Sequence, residues 1–427
     1  MNAFAEVKSE IKPLQLKSAI EMALVNNPSL KSSKEKLNQN ASSTDLVRSY
    51  LYPTLTFSMG AGEAQSAANS AAKLFGGNMY ESYNSNLTLT QPLFVYGSLS
   101  AIRQSEMDRE IQLENVKIAE RNLSASIIQS YFGAILQHRL LENLKKAKDV
   151  LQKSLETTTY REKIGRAQLL DVLQIKTQLA SIQPQIENAQ VAYDNALNQL
   201  SAQMGAKLES GLSQSVPSGT LKVLRFSEVE RQLPSMQPTL PELDINQKQI
   251  RQVSEARSAA MGKHLPQLKL QGSYLTTAYN SSDWFSSQAG SWNAGLVLTI
   301  PIFEGFSSKY ERGTFLSQEL QLESTRSDLE NTISLNQMTA KKSVSAAEIS
   351  LTTAIEADKL AQQSLSEATR LYKYATIDFR QFLTIQQTAL TAASNLEQIK
   401  YNSILAYANY FTASGRPLRQ LVDLLSE

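Results

Sequence analysis

The sequence predicts a mainly α protein with a small β part, built from two copies of a helix, β-hairpin and long-helix-hairpin plan. Three observations predict it. Gly and Pro together make up 29 of 427 residues (17 + 12), about 7% against an average near 12%, so turns are scarce and elements are long. Landmarks recur at a near-constant spacing along the chain. Four short stretches alternate polar and apolar residues strictly, as strands do.

The repeat is fixed by its anchors. Asn27-Pro28-Ser29-Leu30 corresponds to Gln237-Pro238-Thr239-Leu240, Gly165 to Ala375 and Gly205 to Gly415, each at an offset of 210 (238 − 28, 375 − 165, 415 − 205). Leu51-Tyr52-Pro53-Thr54-Leu55 matches His264-Leu265-Pro266-Gln267-Leu268 at 213, and Gln91-Pro92-Leu93-Phe94 matches Ile300-Pro301-Ile302-Phe303 at 209. Small loop insertions account for the drift. A first repeat therefore spans 1–210, a linker 211–225, a second repeat 226–415 and a short C-terminal segment 416–427.

Within the first repeat, Ser29 to Tyr50 has helical composition and stops before Pro53, whose ring biases Tyr52 away from helix. Alternation then predicts strands at about 54–62 and 83–91, and at about 267–276 and 291–300 in the second repeat. Leu87 and Leu89 face one side, while Asn86, Thr88 and Thr90 face the other. After the strands, Leu99 to Glu156 and Ser307 to Tyr372 hold no proline and only Gly133 and Gly313, which predicts helices of roughly 87 and 99 Å. Ile111, Val116, Ala119, Leu123, Ile127 and Ile128 keep coiled-coil-like spacing. Each long helix and its return form a hairpin, over about 99–204 and about 307–412, and Pro184 is expected to kink the first return.

Composition excludes several functions. Lys and Arg number 42 against 40 Asp and Glu, interspersed, for a net charge of +2, so no polyanion such as nucleic acid is an expected partner. There is no Cys, which removes thiol nucleophiles, zinc–cysteine sites and disulfides. His138 and His264 lack metal-ligand spacing, and no phosphate loop or Ser-His-Asp context occurs, so neither enzyme activity nor a cofactor is expected. No window nears 18 consecutive apolar residues, so strands, not helices, would cross any membrane. Ala3-Phe4-Ala5 has the small-residue form of a signal-cleavage site, which suggests a mature exported protein.

Strands with one apolar and one polar face suit a barrel wall between lipid and water. Trp284, Trp292, Phe285, Tyr274 and Tyr83 cluster near the hairpins and suit a membrane-interface girdle, with Tyr279, Phe75 and Tyr80 nearby. Four strands cannot close a membrane barrel, so the chain must assemble; a homotrimer gives 3 × 4 = 12 strands. A soluble coiled-coil scaffold is the alternative, but it needs no alternating strands. A periplasmic pump adaptor would carry one helical hairpin where this chain has two.

From Leu16 to about Gly415 the chain resembles the outer membrane efflux protein family. Its most specific pieces are Gly165-Arg166-Ala167-Gln168-Leu169-Leu170-Asp171-Val172-Leu173, which looks like the family's Gly-x5-Asp-Val-Leu helix turn, and the two Pro-Leu/Ile-Phe junctions after strands. The resemblance implies a trimer with a 12-stranded β-barrel in the outer membrane of a Gram-negative bacterium, continued by a 12-helix periplasmic α-barrel. It further implies an exit duct for a tripartite efflux pump or type I secretion system, exporting drugs or proteins passively, with an adaptor and an inner-membrane transporter as partners.

The resemblance also points to a gate at the periplasmic helical tip. Asp171 falls at a family constriction-network aspartate, and Tyr372, three residues before Ala375, matches that network's tyrosine. Departures follow: the family arginine is Ile377 here, and the paired aspartates are Gln381 and Thr384. Arg166, Asp378 and Arg380 are candidates for replacement contacts. A tip that lacks the family links is expected to open more easily.

Overall fold

The computed structural model describes residues 14–65, 79–205, 217, 219–232, 240–262, 264–286, 288–374 and 376–426. Ala3-Phe4-Ala5, Phe75, Gln237-Pro238-Thr239 and most of the linker before Pro217 lie outside the described residues. In order, the elements are α1 (Leu16–Asn26), α2 (Pro28–Ser49), β1 (Thr54–Gln65), β2 (Met79–Phe94), α3 (Tyr96–Lys163), α4 (Leu169–Gln203), α5 (Phe226–Gln232), α6 (Pro241–Gly262), β3 (Gln267–Ala278), β4 (Gly290–Thr299), α7 (Ser307–Lys373), α8 (Phe379–Ala413) and α9 (Leu418–Ser426). Duplication shows in the element starts: α1 and α5, and α4 and α8, are each 210 residues apart (226 − 16, 379 − 169). Pro184 is held inside one helix, α4, which runs on through it.

The chain divides into two compact units. One is helical and is formed by the described residues of 1–34, 115–241 and 329–427. Its main core gathers Ile127, Ile128, Tyr131 and Phe132 of α3, Leu200 of α4, Val344 of α7, Tyr407 and Phe411 of α8 and Leu421 of α9. The phenols that enter this core keep a partner, as buried hydroxyls must: Tyr131 donates to the Leu14 carbonyl at 2.8 Å and Tyr407 to the Leu224 carbonyl at 3.2 Å. Burial pushes the Tyr407 phenol well above its ordinary value. Asn27 joins two helix ends here. Its Oδ1 accepts from the Leu30 amide at 3.1 Å, capping α2, and its Nδ2 donates to the Gln203 carbonyl at the end of α4 at 2.7 Å. Pro28 at the first helical position needs no amide partner, which explains the Asn-Pro pair.

The other unit is formed by 35–114 and 242–328 and holds one antiparallel sheet in the order β1-β2-β3-β4. Pairing runs from Thr54↔Thr90 to Gln65↔Met79 in the first hairpin and from Gln267↔Thr299 to Thr276↔Gly290 in the second. Leu87↔Tyr274 and Thr88↔Ser273 join the hairpins. Polar links join helices of this unit. Thr44 donates to the Ser105 carbonyl, and Asn246 to the Leu322 carbonyl. Lys248 sits among Asp244, Glu114 and Glu110 at 2.8, 3.5 and 3.6 Å. Burial alone would lower its pKa, but the Asp244 hydrogen bond and the three carboxylates hold it above the ordinary lysine value.

Candidate functional site

The turn between α3 and α4 is a helix stop of the Schellman type. The Arg166 amide donates to the Arg161 carbonyl at 2.7 Å and the Gly165 amide to the Glu162 carbonyl at 2.9 Å, with Gly165 at φ +71°. The second turn has the matching bond, Thr376 amide to Leu371 carbonyl at 2.9 Å. Ala375 itself lies outside the described residues.

The helices that leave these turns are capped by the two aspartates. Asp378 is the N-cap of α8 and accepts from the Gln381 amide at 2.8 Å. Asp171 stands at the third position of α4, where its Oδ2 accepts from the Gln168 amide at 3.4 Å. Carboxylates in these positions satisfy amides that the helix leaves open and oppose its dipole. Arg380, Gln381 and Thr384 border one surface groove with Ile377, Asp378 and Ile385, and the Thr384 hydroxyl donates back to the Arg380 carbonyl at 3.0 Å. Arg166 is exposed.

Tyr372 is the centre of this end of the helical unit, only 5% exposed. Its ring stacks on Phe382 at 4.8 Å with an 18° interplanar angle and meets Phe379 at 6.1 Å. With Ile175 and Ala368 these rings form a separate apolar cluster. The polar links come from α3: the Tyr372 hydroxyl pairs with Thr158 Oγ1, and Arg161 donates to the Tyr372 carbonyl at 3.0 Å while lying 5.6 Å from its ring centroid. Burial pushes the phenol above its ordinary value, against the pull of Thr158 and Arg161 and with a push from nearby Asp171. The phenol therefore stays protonated at neutral pH and can serve as a hydrogen-bond donor or acceptor. Thr158, Arg161, Phe379 and Phe382 carry no motif that singles them out in the sequence. Phe379 and Phe382, three apart just after an N-cap, are the one local signal that marks a ring cluster.

In the sheet, register puts Leu55, Phe57, Leu87, Tyr274, Trp292 and Leu296 on one face. These six side chains are exposed, Trp292 by 77%, while Ser85 and Thr276, further along the same face, are buried. Tyr274 lies opposite Trp292. Tyr83 meets Trp284 at 5.1 Å, and Trp284 stacks on the exposed Phe285 at 5.4 Å. These five aromatics thus gather toward the hairpin-turn end. A second aromatic group, at the helix-proximal end, is not among those expected from sequence: Phe303 and Phe306 meet edge to face at 5.4 Å, with Phe94 and Ile302 also exposed. The two Pro-Leu/Ile-Phe junctions are its signal.

Among the described residues no group of three or more His, Cys, Asp or Glu could hold a metal, and no helix is long and apolar enough to cross a membrane. His138 packs its ring 5.2 Å from Tyr193.

Duplicated helical hairpins and a four-stranded sheet with an exposed apolar stripe are the parts that a strand-walled channel would use. Comparison agrees. The model of the family described as outer membrane efflux protein matches residues 19–206. Outer membrane protein TolC of Escherichia coli (strain K12) is 24% identical over 432 residues, covering 96% of this chain and 84% of that protein. Alkaline protease secretion protein AprF of Pseudomonas aeruginosa is 23% identical, with 92% and 83% covered. The Campylobacter jejuni CmeC outer membrane channel has the same fold, with a TM-score of 0.80 at 17% identity over 96% of this chain and 89% of that one. Over residues 19–206 the chain matches the outer membrane efflux protein family, and over nearly its whole length it is similar to TolC and AprF.

Proposed function

We propose that three copies of this chain form a passive exit duct across the outer membrane. Cargo, whether small molecules or secreted protein, is handed over by an inner-membrane transporter and its periplasmic adaptor. The observation that carries this reading is the sheet: the large apolar side chains of one face are exposed, and β1 and β4 are each paired on one side only. Open edges in hydrocarbon are prohibitively costly, and 3 × 4 = 12 strands close them. From Tyr83 to Phe94 along β2 there are 11 steps (94 − 83), about 37 Å of strand. Tilted by roughly 40°, this spans close to the apolar band of about 25 Å that aromatic girdles flank in outer-membrane barrels. Relatives named for protease secretion and for toluene efflux support both cargo classes.

The turns make the gate in this reading. Gly165, Arg166, Asp171, Tyr372, Ala375, Asp378, Arg380, Gln381 and Thr384 belong to the periplasmic tip, and the Tyr372 links to Thr158 and Arg161 hold the two hairpins together there.

The test is the mass of the protein extracted from membranes in detergent, with bound detergent subtracted. A particle near three times 47.3 kDa is expected. A monomer that stays soluble without detergent would mean that the sheet is no barrel wall. The face assignment has its own test. Leu296→Arg is expected to cost about 2–4 kcal/mol in denaturant titration of protein folded into vesicles, while Asn293→Arg on the polar face stays near neutral. Equal costs would remove the lipid–water distinction between the faces.

A further inference from the structure

The polar face of the sheet is nearly free of charge. Register assigns to it the even-numbered residues of β1, those of β2 as far as Pro92, and the odd-numbered residues of β3 and β4. Read off the sequence, these are Thr, Ser, Asn, Gln, Gly and a few apolar residues, with one charged side chain, Lys269. The strand carboxylates Glu63 and Glu81 face each other on the opposite side. Lys269 pairs in register with Pro92 and Val297, neither of which offers a carboxylate, and it forms no ion pair with another described residue. A half-buried stem with an unneutralised ammonium on a face of neutral amides and hydroxyls is a fixed positive charge aimed at whatever that face lines.

We propose that Lys269 makes the strand-lined section of the duct favour anions, so that anionic cargo leaves more readily than cationic cargo of the same size. This rests on the trimeric-duct reading, which turns the polar face to the water-filled interior and gathers three copies of Lys269 into one ring. Lys269 is the third residue of β3, at the helix-proximal end of the sheet, so the ring stands where cargo enters the barrel. A unit charge about 10 Å away in water biases local ion concentration about twofold before screening, and three such charges act together. Salt shortens their reach from roughly 30 Å at 0.01 M to roughly 8 Å at 0.15 M, so the preference is a low-salt property.

The test is the reversal potential of the channel in planar bilayers under a KCl gradient, at low and at high salt, for the unchanged protein, Lys269→Arg, Lys269→Gln and Lys269→Glu. The helical tip is the same in all four, so differences among them report the barrel section in series with it. At low salt Lys269→Arg is expected to match the unchanged protein. Lys269→Gln moves away from the chloride Nernst potential and Lys269→Glu moves further the same way, with the chloride-to-potassium permeability ratio falling about twofold or more at each step. High salt compresses all of these shifts. Four identical reversal potentials from intact conductance steps would overturn the role of Lys269 and leave the duct standing. Absence of conductance from the unchanged protein would sink the duct and this inference with it.

Discussion

Tyr372→Ala is expected to give channels of markedly higher conductance in planar bilayers, because it removes the ring on which the end of the helical unit is packed. Tyr372 stacks on Phe382 at 4.8 Å and is buried together with Ile175, Ala368 and Phe379. Truncating a buried aromatic to alanine costs about 3–5 kcal/mol. That cost falls on a small cluster separate from the main core, so the hairpin ends loosen while the rest of the unit keeps its own packing. Tyr372→Phe separates the ring from its hydroxyl. It keeps the stack and removes the bond to Thr158, whose hydroxyl still has the Ser154 carbonyl at 2.8 Å, so its cost is about 1 kcal/mol. The expected order of conductance is alanine well above phenylalanine, and phenylalanine slightly above tyrosine. A phenylalanine variant as open as the alanine variant would show that the hydroxyl, not the ring, holds the tip. An alanine variant with unchanged conductance would remove Tyr372 from the gate.

The difference between the links the resemblance implies and those observed shows what a sequence can carry. Alternation in the strands is local, each residue's face following from its neighbours, so the apolar face of Leu55, Phe57 and Leu296 is legible from the residue order alone. The stop at Gly165 is legible for the same reason, since left-handed backbone calls for glycine. The partner of Tyr372 is not. Thr158 lies 214 residues away in sequence, and nothing in either segment encodes that meeting. Asp171 stands at a network position only through the family motif that contains it; in the structure its carboxylate accepts from the Gln168 amide, the local bond that any acid at this helix position can make. The short helices α1, α5 and α9 are likewise illegible in the sequence. Helices of 7 to 11 residues are marginal alone and owe their form to packing, here against α3, α7 and α8.

The same distinction between local and distant demands predicts unequal costs at two glycines with nearly the same backbone. Gly165 and Gly205 lie at φ +71° and +72°, and each ends a helix. An added Cβ at Gly165 meets nothing within 4 Å, so Gly165→Ala carries only the left-handed penalty of about 1–2 kcal/mol. In the sequence the matching place of the second repeat holds Ala375. At Gly205 an added Cβ would lie 2.5 Å from the Asn26 carbonyl oxygen and 3.0 Å from the Asn27 amide nitrogen, and both are backbone. Asn27 cannot yield cheaply: its side chain caps α2 through Leu30 and ties down the Gln203 carbonyl. Forcing such a contact typically adds about 1–3 kcal/mol, so Gly205→Ala is expected to lose roughly 2–5 kcal/mol in all. Thermal unfolding in detergent followed by circular dichroism should order the pair, with Gly205→Ala melting well below Gly165→Ala. If the two melt together, the α1–α2 junction yields to α4, and the Asn27 bonds do not fix it. If Gly165→Ala is the worse, the turn at the tip carries a demand for glycine that its free surroundings do not explain.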